Sequence, residues 1–194
     1  MISGIVLAAG QSRRMGSPKL LLPWHDRTVV EAVVGTLREG GVDRIIVVVG
    51  EDRAAVERAL SDGEVEFVVN PAFGRGEMLS SIQAGLAAIG GETLAALLTP
   101  GDLPSIQPAT VRAVLGAGVG APDRLCVPVY GGRRGHPVLI PRAHWRDLLA
   151  LGEGESLRSY LRAREGEIIR VEVQDPGIRA DIDTPADYDG AIKD

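Results

Sequence analysis

The N-terminal half of the chain alternates between short apolar runs and longer segments of helical composition. Four runs consist almost entirely of Val, Ile, Leu and Ala: Ile2–Leu7, Arg44–Val49, Val65–Val69 and Leu94–Leu98. Such unbroken runs are typical of strands that are covered on both faces, as in parallel sheets. The intervening segments predicted to be helices are Thr28–Glu39, Arg53–Leu60 and Met78–Ile89. This alternation predicts right-handed crossovers and a three-layer α/β/α architecture around a mostly parallel sheet.

The C-terminal half lacks this regular alternation of apolar runs and helical segments. A predicted helix, Ala109–Leu115, is followed by a loop rich in Gly, Ala and Pro. A small β-hairpin extension is predicted next, in which Leu125–Tyr130 and Pro137–Ile140 flank the turn GGRRGH. The remaining predicted elements are helices at Ala143–Leu149 and Leu157–Arg164, a strand at Ile168–Val173 and a last helix opened by Thr184 and Pro185. Because no linker or repeat divides the sequence, we expect one domain over residues 1–194.

Composition and charge exclude several classes of function. Hydrophobic residues make up 45% of the chain, and its formal net charge of −5 argues against a general nucleic-acid-binding protein. The single cysteine, Cys126, excludes an internal disulfide and a cysteine-rich zinc site, and its apolar neighbours predict an inert core thiol. The N-terminus lacks the features of a signal peptide, and no stretch approaches the roughly 20 apolar residues that span a membrane. We therefore expect a cytoplasmic protein.

The segment LAAGQSRRMGSPK, Leu7–Lys19, gathers glycine and positive charge directly after the first predicted strand. Ligands of open α/β sheets collect outside the carboxyl ends of the strands, and glycine-rich turns present backbone N–H groups to anions. Arg13, Arg14 and Lys19 add charge suited to more than one phosphate group. The spacing matches neither a Walker A loop nor the dinucleotide fingerprint, which argues against an NAD(P)H-dependent oxidoreductase. The alternative is a surface turn with solvated arginines.

Two aspartates are candidates for holding a divalent cation. Asp102, in TPGDLP, follows the fourth apolar run and so belongs at the same edge of the sheet. A carboxylate among phosphates requires a cation between them, and Mg²⁺ binds one or two carboxylates together with phosphate oxygens. The alternative for Asp102 is a turn or helix-cap role. In DIDTPADY, helix capping explains Thr184 but leaves Asp183 as the second metal candidate, ahead of Asp181.

Polar residues of a third motif are candidate nucleotide contacts. NPAFGRGEMLSSI joins the third strand to a helix, so Asn70, Gly76 and Ser81 lie near a helix start that offers unpaired N–H groups to a phosphate. Ordinary helix capping is the alternative for the serine.

The histidines differ in what surrounds them in sequence. In GGRRGHPV, Arg134 and His136 suit contact with an acidic substrate, and the alternative for His136 is a structural role in the turn. His25 and His144 have no convincing partners and are expected on the surface.

The chain resembles the nucleotidyltransferases that act on molybdenum cofactor, through motifs that extend over nearly its whole length. These are L-A-A-G-x-S-x-R-M-G-x-x-K with LLLPW, NPAFGRGEMLSSI, TPGDLP, GRRGHP and DIDTPADY, in family order. The resemblance implies a glycosyltransferase-A-like, Rossmann-like fold of the nucleotide-diphospho-sugar transferase type, with Mg²⁺ as cofactor. It also implies that the Gly10–Lys19 loop holds a nucleoside triphosphate and that GRRGHP faces the pterin.

Residue chemistry and the resemblance together give one set of candidate site residues. Those expected to be catalytic are Lys19, Arg14 and Asp102, and the metal candidates are Asp102 and Asp183. Those expected to bind the second substrate are Arg134 and His136, and Arg158 carries over weakly because GEGESLRS departs from the family loop. The nucleotide-binding candidates are Leu7, Ala8, Ala9, Gly10, Ser12, Arg13, Gly16, Lys19, Asn70, Gly76 and Ser81.

The expected reaction is attack by the terminal phosphate of a pterin cofactor on the α-phosphate of the triphosphate, with pyrophosphate leaving in line. A phosphate nucleophile is already ionised, so no general base is expected. Ala9 is similar to the cytidylyl members of the family, and its methyl group would narrow the base slot against a purine, which favours CTP. Leu103 departs from those members, which often carry a glutamine there.

Three alternatives stay open beside a cytidylyltransferase for molybdopterin. They are a guanylyltransferase that uses GTP, a cytidylyltransferase for another small-molecule phosphate, and a carrier or chaperone that binds the pterin without catalysis. The expected partners are CTP or GTP, molybdopterin cofactor and, as recipient, a molybdoenzyme of the xanthine dehydrogenase type. Neither nucleic acid nor a membrane is expected as a partner.

Overall fold

The main sheet is mixed and mostly parallel in this computed structural model, which describes residues 1–12, 15–73 and 78–193. A separate antiparallel pair consists of β2 (Pro23–Trp24) and β3 (Arg27–Thr28). The strands of the main sheet lie in the spatial order β10 (Ile168–Glu172), β7 (Leu125–Tyr130), β9 (Val138–Pro141), β6 (Ala95–Pro100), β1 (Ile2–Ala8), β4 (Arg44–Val49) and β5 (Glu66–Val69), and β8 (Arg133–Arg134) pairs with β7.

The strand β9 determines the relative direction of the strands in the two halves of the sheet. It is antiparallel to both β6 and β7, so β7 and its parallel neighbour β10 run in the same direction as β6 and β1. The carboxyl ends of β1, β6 and β7 therefore meet at one edge of the sheet, and the chain enters β9 from that same edge. Residues that follow these strands are in position to share one cleft.

Helices cover both faces of the sheet. Those against one face are α1 (Val29–Glu39), α2 (Arg53–Ala59) and α4 (Pro108–Gly120), and those against the other are α3 (Met78–Ala88), α5 (Trp145–Leu149) and α6 (Leu157–Ala163). Val47 faces the first helical layer and Val48 the second, and both are fully buried. The predicted three-layer α/β/α class is confirmed. Among the described helices, none combines the length and apolar character that crossing a bilayer requires.

Two helices begin where the sequence places a capping signal. Thr28 and Glu31 form a capping box at the start of α1, and Thr184 and Asp187 form one at the start of α7 (Pro185–Ala191). In each box the side chains satisfy backbone N–H groups that a helix start leaves unpaired. The helix starts predicted at Thr28 and at Thr184 are confirmed.

The helix α4 is longer than the sequence predicted. Its glycines suggested a loop after Leu115, yet the helix continues to Gly120. At Gly118 the helix lies close to the sheet, since a Cβ added there would lie 2.0 Å from Leu139 Cδ2. A larger residue at this position would require the Leu139 side chain to move. The predicted hairpin strands β7 and β9 are likewise part of the main sheet, through the pairing of β9 with β6.

Two side chains away from the strand ends have buried environments. His144, expected on the surface, is buried, with Nδ1 3.0 Å from the Tyr160 hydroxyl and Nε2 3.1 Å from the Asp123 carbonyl oxygen. The surface expectation was wrong because both partners come from other elements. Cys126 is fully buried, as expected for a core thiol, and burial raises the pKa of its thiol.

A buried carboxylate, Asp175, ties the C-terminal segment to the start of α4. Its Oδ2 accepts hydrogen bonds from the Gln107 backbone N–H at 2.9 Å and the Thr110 hydroxyl at 2.6 Å. Its Oδ1 accepts from the Gly177 N–H at 2.9 Å. The N-cap residue Gln107 makes no side-chain cap of its own, so Asp175 caps the helix from a distance. The turn Pro176–Arg179 is thereby fixed against α4.

We predict that Asp175→Asn lowers the free energy of unfolding by about 1–3 kcal/mol, because the new NH₂ group faces a donor and leaves it unsatisfied. Urea unfolding followed by circular dichroism measures the loss. Asp123→Asn, on an exposed residue, is the matched control and should leave the unfolding midpoint unchanged. Equal midpoints for the two variants would show that this carboxylate does not carry the connection.

Candidate active site

A cleft of about 1260 Å³ opens at the edge where β1, β6 and β7 end. The loop after β1, the residues after β6 and the segment before α7 contribute Lys19, Asp102 and Asp183 to its lining. The turn around β8 contributes Arg134 and His136. The cleft thus collects residues from both halves of the chain, as the strand directions require.

Lys19 lies between two carboxylates. Its Nζ donates hydrogen bonds to Asp102 Oδ2 at 2.5 Å and to Asp183 Oδ1 at 2.9 Å. The three side chains are only 13%, 17% and 27% exposed. Burial alone would lower the pKa of Lys19, but the charges and hydrogen bonds of Asp102 and Asp183 outweigh it and raise that pKa above its ordinary value. We refer to these three residues as the Lys19 cluster.

The backbone brings the Lys19 cluster together at three points. The Lys19 N–H donates to the Ser12 hydroxyl at 3.2 Å, and Ser12 adopts a φ of 44° in the left-handed region. The Gly101 N–H donates to the Leu7 carbonyl at 2.9 Å, where a Cβ on Gly101 would lie 3.0 Å from the same oxygen.

The third point is the hydrogen bond from the Ile182 N–H to the Asp102 carbonyl at 3.0 Å. Ile182 is buried in the core, so its packing places the neighbouring Asp183 beside Asp102. These contacts therefore hold loops from three distant parts of the chain in fixed positions relative to one another.

The carboxylates of the Lys19 cluster are suited to a hard cation. Asp102 Oδ1 is buried and has no hydrogen-bond partner among the described residues, and oxygen donors of this kind are the ligands that Mg²⁺ and Ca²⁺ prefer. Asp181 lines the same cleft, and its pKa is raised by burial and by the negative charges of Asp102 and Asp183. Within the described ranges, no group of three or more His, Cys, Asp and Glu side chains is arranged as a metal site. The described residues thus offer two adjacent aspartates, Asp102 and Asp183, without a complete set of protein ligands for a metal.

His136 and Arg134 lie beyond the Lys19 cluster in the same cleft. Burial lowers the pKa of His136, and this outweighs the opposing effects of a hydrogen bond to the Leu98 backbone and the charge of Asp102. The Nδ1 atom of His136 is buried and has no partner in the described part of the chain. Arg134 is paired with Glu165. A neutral imidazole and a tethered guanidinium therefore form this part of the lining.

The nucleotide-binding candidates fall into three groups. Those that line the cleft are Leu7, Ala9, Gly10, Ser12, Lys19 and Ser81. Ala8 is buried, and Gly16 has a positive φ of 69°; neither contributes to the lining. Arg13 and Gly76 lie outside the described residues, as does the catalytic candidate Arg14.

Asn70 supports the cleft from behind. It is buried, and its Nδ2 donates to the hydroxyls of Ser80 and Ser81, each at 2.9 Å. Its Oδ1 accepts from the Ala72 N–H at 2.9 Å. These bonds connect the end of β5 to the start of α3, so the side chain positions Ser81 in the lining.

Several lining residues were missed by the sequence prediction. Among them are Phe73, Met78, Arg162 and Arg179. Arg133 and Arg158 also line the cleft, and the sequence prediction gave neither of them a definite role. The spacing of Arg158 and Arg162, four apart on α6, was a signal that both share one helix face. Nothing in the sequence marked Arg179, whose position depends on the turn fixed by Asp175.

The family model described as a MobA-like NTP transferase domain matches residues 4–168. The molybdenum cofactor cytidylyltransferase of Escherichia coli (strain K12) is 29% identical over 188 residues, 96% of this chain and 93% of that protein. The nicotine blue oxidoreductase of Paenarthrobacter nicotinovorans is 30% identical over 194 residues, 94% of this chain and 92% of that protein. A probable molybdenum cofactor guanylyltransferase of Bacillus cytotoxicus is 29% identical over 134 residues, 69% of this chain and 64% of that protein.

Solved structures show the same architecture. The crystal structure of Rv0371c from Mycobacterium tuberculosis H37Rv matches with a TM-score of 0.88 at 29% identity and covers 100% of this chain and 98% of that one. Its complex with manganese matches with a TM-score of 0.83 at 28% identity, covering 99% and 98% of the two chains. These matches confirm the predicted fold type.

We predict that stability falls as the pH drops below about 6.5, the ordinary pKa of histidine, because the unfolded chain then binds a proton that the half-buried, desolvated His136 resists. The loss continues until the pH reaches the lowered pKa of the folded state. His136→Gln, which stays neutral, should flatten this part of the curve in urea unfolding at pH 7.5, 6.5 and 5.5. His25→Gln, at an exposed position, should keep the wild-type slope. A wild-type slope in His136→Gln would contradict a lowered pKa of the His136 imidazole in the folded protein.

Proposed function

Since the chain belongs to the MobA-like NTP transferase family and is a nucleotidyltransferase, we propose that it transfers CMP from CTP to molybdopterin cofactor and releases pyrophosphate. We propose further that residues 1–194 act as one NTP transferase domain. The family match covers residues 4–168, and the segment after it contributes Asp183 to the cleft.

The Lys19 cluster is the observation that carries this proposal. A lysine ammonium group has three donors, and two of them are used on Asp102 and Asp183, so one remains for a phosphate oxygen. The cluster lies at the end of the glycine-rich loop and at the carboxyl edge of the sheet. It offers a cation to the triphosphate and carboxylate oxygens to a metal, which are two requirements of nucleotidyl transfer.

We propose that the triphosphate binds along the loop that includes Gly10, Ser12 and Lys19, with Arg13 and Arg14 supplying further charge. Among the described residues, a Cβ built on Gly10 would meet no atom within 4 Å, so the space beside its backbone is open to a ligand. Glycine at this position lets a phosphate oxygen approach the N–H group closely. We propose that Ser81, which lines the cleft and is held in place by Asn70, completes the nucleotide site together with Gly76. Ala8 and Gly16 belong to the same loop but lie outside the lining of the cleft.

The choice of CTP depends on Ala9. Its side chain is 6% exposed and lines the cleft beside Leu7, so its methyl group occupies volume that a purine would need. Leu103 is 2% exposed and packs in the core as well as lining the cleft. It contributes a hydrophobic wall without a hydrogen bond to the base, and the size of the slot therefore decides between CTP and GTP.

We propose Asp102 and Asp183 as the residues that hold a divalent ion, with Mg²⁺ as the physiological ion; a similar structure is a complex with manganese. The buried and unpartnered Asp102 Oδ1 fits this role. When bound, the ion supplies Lewis-acid polarisation of phosphoryl oxygens and neutralises their charge.

The protein's own residues position the reactants. Lys19 and Arg14 bind the oxyanions of the triphosphate, while Arg134 and His136 bind the acceptor. Bond formation from an acceptor phosphate oxygen to the α-phosphorus breaks the bond to the pyrophosphate oxygen. The acceptor phosphate is ionised at neutral pH, so no residue has to remove a proton. The neutral His136 can accept a hydrogen bond through Nδ1. A molybdoenzyme of the xanthine dehydrogenase type is the proposed recipient of the product.

We predict that pyrophosphate release with molybdopterin and Mg²⁺ is at least about tenfold faster with CTP than with GTP at equal subsaturating concentrations, because of the slot at Ala9. A coupled pyrophosphate assay on purified protein measures both rates. If pyrophosphate is released with GTP and not with CTP, the proposed activity would be guanylyl transfer instead of cytidylyl transfer. Pterin binding without release would favour a carrier, and oxidation of NADH or NADPH would favour chemistry of the oxidoreductase kind.

A variant in the Lys19 cluster tests whether that release comes from this cleft. Asp102→Asn should reduce it by about 10²–10³-fold, since it removes charge on which the transition state depends. Asp123→Asn is the matched control and should keep the wild-type rate. Full turnover in Asp102→Asn would remove Asp102 from the mechanism.

We predict that Gly10→Ala raises the KM for CTP about tenfold or more while leaving the Tm unchanged. The open space beside Gly10 accommodates a methyl group in the folded chain, but the methyl group would occupy volume that the phosphates need. Gly116→Ala, in α4 and also without neighbours within 4 Å, is the control for fold and should not change KM. An unchanged KM in Gly10→Ala would place the triphosphate elsewhere.

A further inference from the structure

Four arginines of the cleft have no acidic partner among the residues that the structure describes. Lys19 is paired with Asp102 and Asp183, and Arg134 is paired with Glu165. The other described cationic side chains of the lining are Arg133, Arg158, Arg162 and Arg179, which we call the arginine wall. None of the four makes an ion pair or a side-chain hydrogen bond with another described residue.

Arginines elsewhere on the protein are mostly engaged. Those that donate to a carboxylate or a backbone carbonyl are Arg27, Arg44, Arg53, Arg112, Arg124, Arg142, Arg164 and Arg170. The chain also carries a net charge of −5, so carboxylates are abundant. The cleft therefore differs from the rest of the surface in having several guanidinium groups close together that are not paired with described residues.

Three separate elements bring the arginine wall together. Arg158 and Arg162 come from one face of α6, whose Leu157 and Leu161 are buried beneath them. Arg133 comes from β8, and Arg179 comes from the turn that Asp175 fixes. The His136 N–H donates to the Ile178 carbonyl at 2.9 Å and connects the second of these elements to the third.

An apolar floor accompanies these charges. The side chains of Val127, Val138, Leu157, Leu161 and Ile178 line the cleft and are otherwise buried. A site with an apolar floor and an arginine rim suits a ligand with a flat or apolar body and anionic groups at its edge, because guanidinium groups bind carboxylate and phosphate through paired donors.

We propose that the arginine wall is the acceptor subsite and that the acceptor carries at least one anionic group besides the phosphate that reacts. This inference rests on the proposed function, in which the reacting phosphate has to reach the triphosphate at the Lys19 cluster. None of the four arginines is paired with the acidic residues there, within the part of the chain that the structure describes. The wall is thus available for charge on another part of the acceptor.

Binding of two fluorescent probes tests the subsite without turnover. Pterin-6-carboxylate carries an anionic group and no phosphate, and unsubstituted pterin lacks the charge. At low ionic strength, where exposed charges are least screened, the wild-type protein should bind the carboxylate at least about tenfold more tightly than the uncharged pterin. The double variant Arg158→Gln/Arg162→Gln should lose this preference.

A matched double variant, Arg38→Gln/Arg58→Gln, makes the same change in net charge on the exposed parts of α1 and α2. It should keep the preference for the charged probe. No preference in the wild-type protein, or an equal loss in both double variants, would overturn the proposal.

Kinetics distinguish this proposal from the proposed function. The α6 double variant should raise the KM for molybdopterin about tenfold and leave the KM for CTP unchanged. A rise in the KM for CTP alone would assign the arginines to the nucleotide and overturn the subsite. Retained probe preference in a protein that releases no pyrophosphate would overturn the proposed function and leave the subsite in place.

Discussion

One ammonium group between two carboxylates sets the shape of the cleft. Lys19 follows the first strand, Asp102 the sixth, and Asp183 precedes the last helix, and the distances of 2.5 and 2.9 Å leave little freedom among them. Two carboxylates this close would repel each other without the cation. Hydrogen bonds to Leu7 and Asp102 from Gly101 and Ile182 hold the same loops through the backbone. Charge and backbone pairing therefore reinforce one arrangement, and the conformation of the whole edge depends on it.

The reversed strand β9 extends this edge beyond the nucleotide half. Because it lies antiparallel between β6 and β7, the chain has to return to the edge before entering it. That return path contains Arg134 and His136 and leaves them beside the Lys19 cluster. A purely parallel continuation would have required a crossover helix at this point. The topology thus provides space for a second substrate next to the first.

The sequence was a good guide where local pattern decides structure. The apolar runs predicted the strands β1, β4 and β7 within one residue at either end, and Thr28 and Thr184 identified two helix starts. Position after a strand also brought Lys19 and Asp102 to the same cleft. Asp183 could be suspected because helix capping did not account for it.

Residues whose role depends on packing between elements could not be predicted in the same way. Asn70 follows a strand like a ligand contact, yet its amide is used on Ser80 and Ser81 once α3 packs. Arg179 reaches the cleft only through the turn fixed by Asp175, and its sequence context has no periodicity. The glycine at 118 signalled a loop, whereas it lies inside α4 where that helix comes close to Leu139. In each case the deciding neighbour lies far away along the chain.

The C-terminal segment has a consequence for how this protein matures. A nascent chain that has emerged as far as Glu172 contains every strand of the main sheet, yet it still lacks Arg179, Asp181 and Asp183. The segment after Glu172 therefore completes the lining of the cleft, because it adds Arg179, Asp181 and Asp183 after the strands of the main sheet have been synthesised.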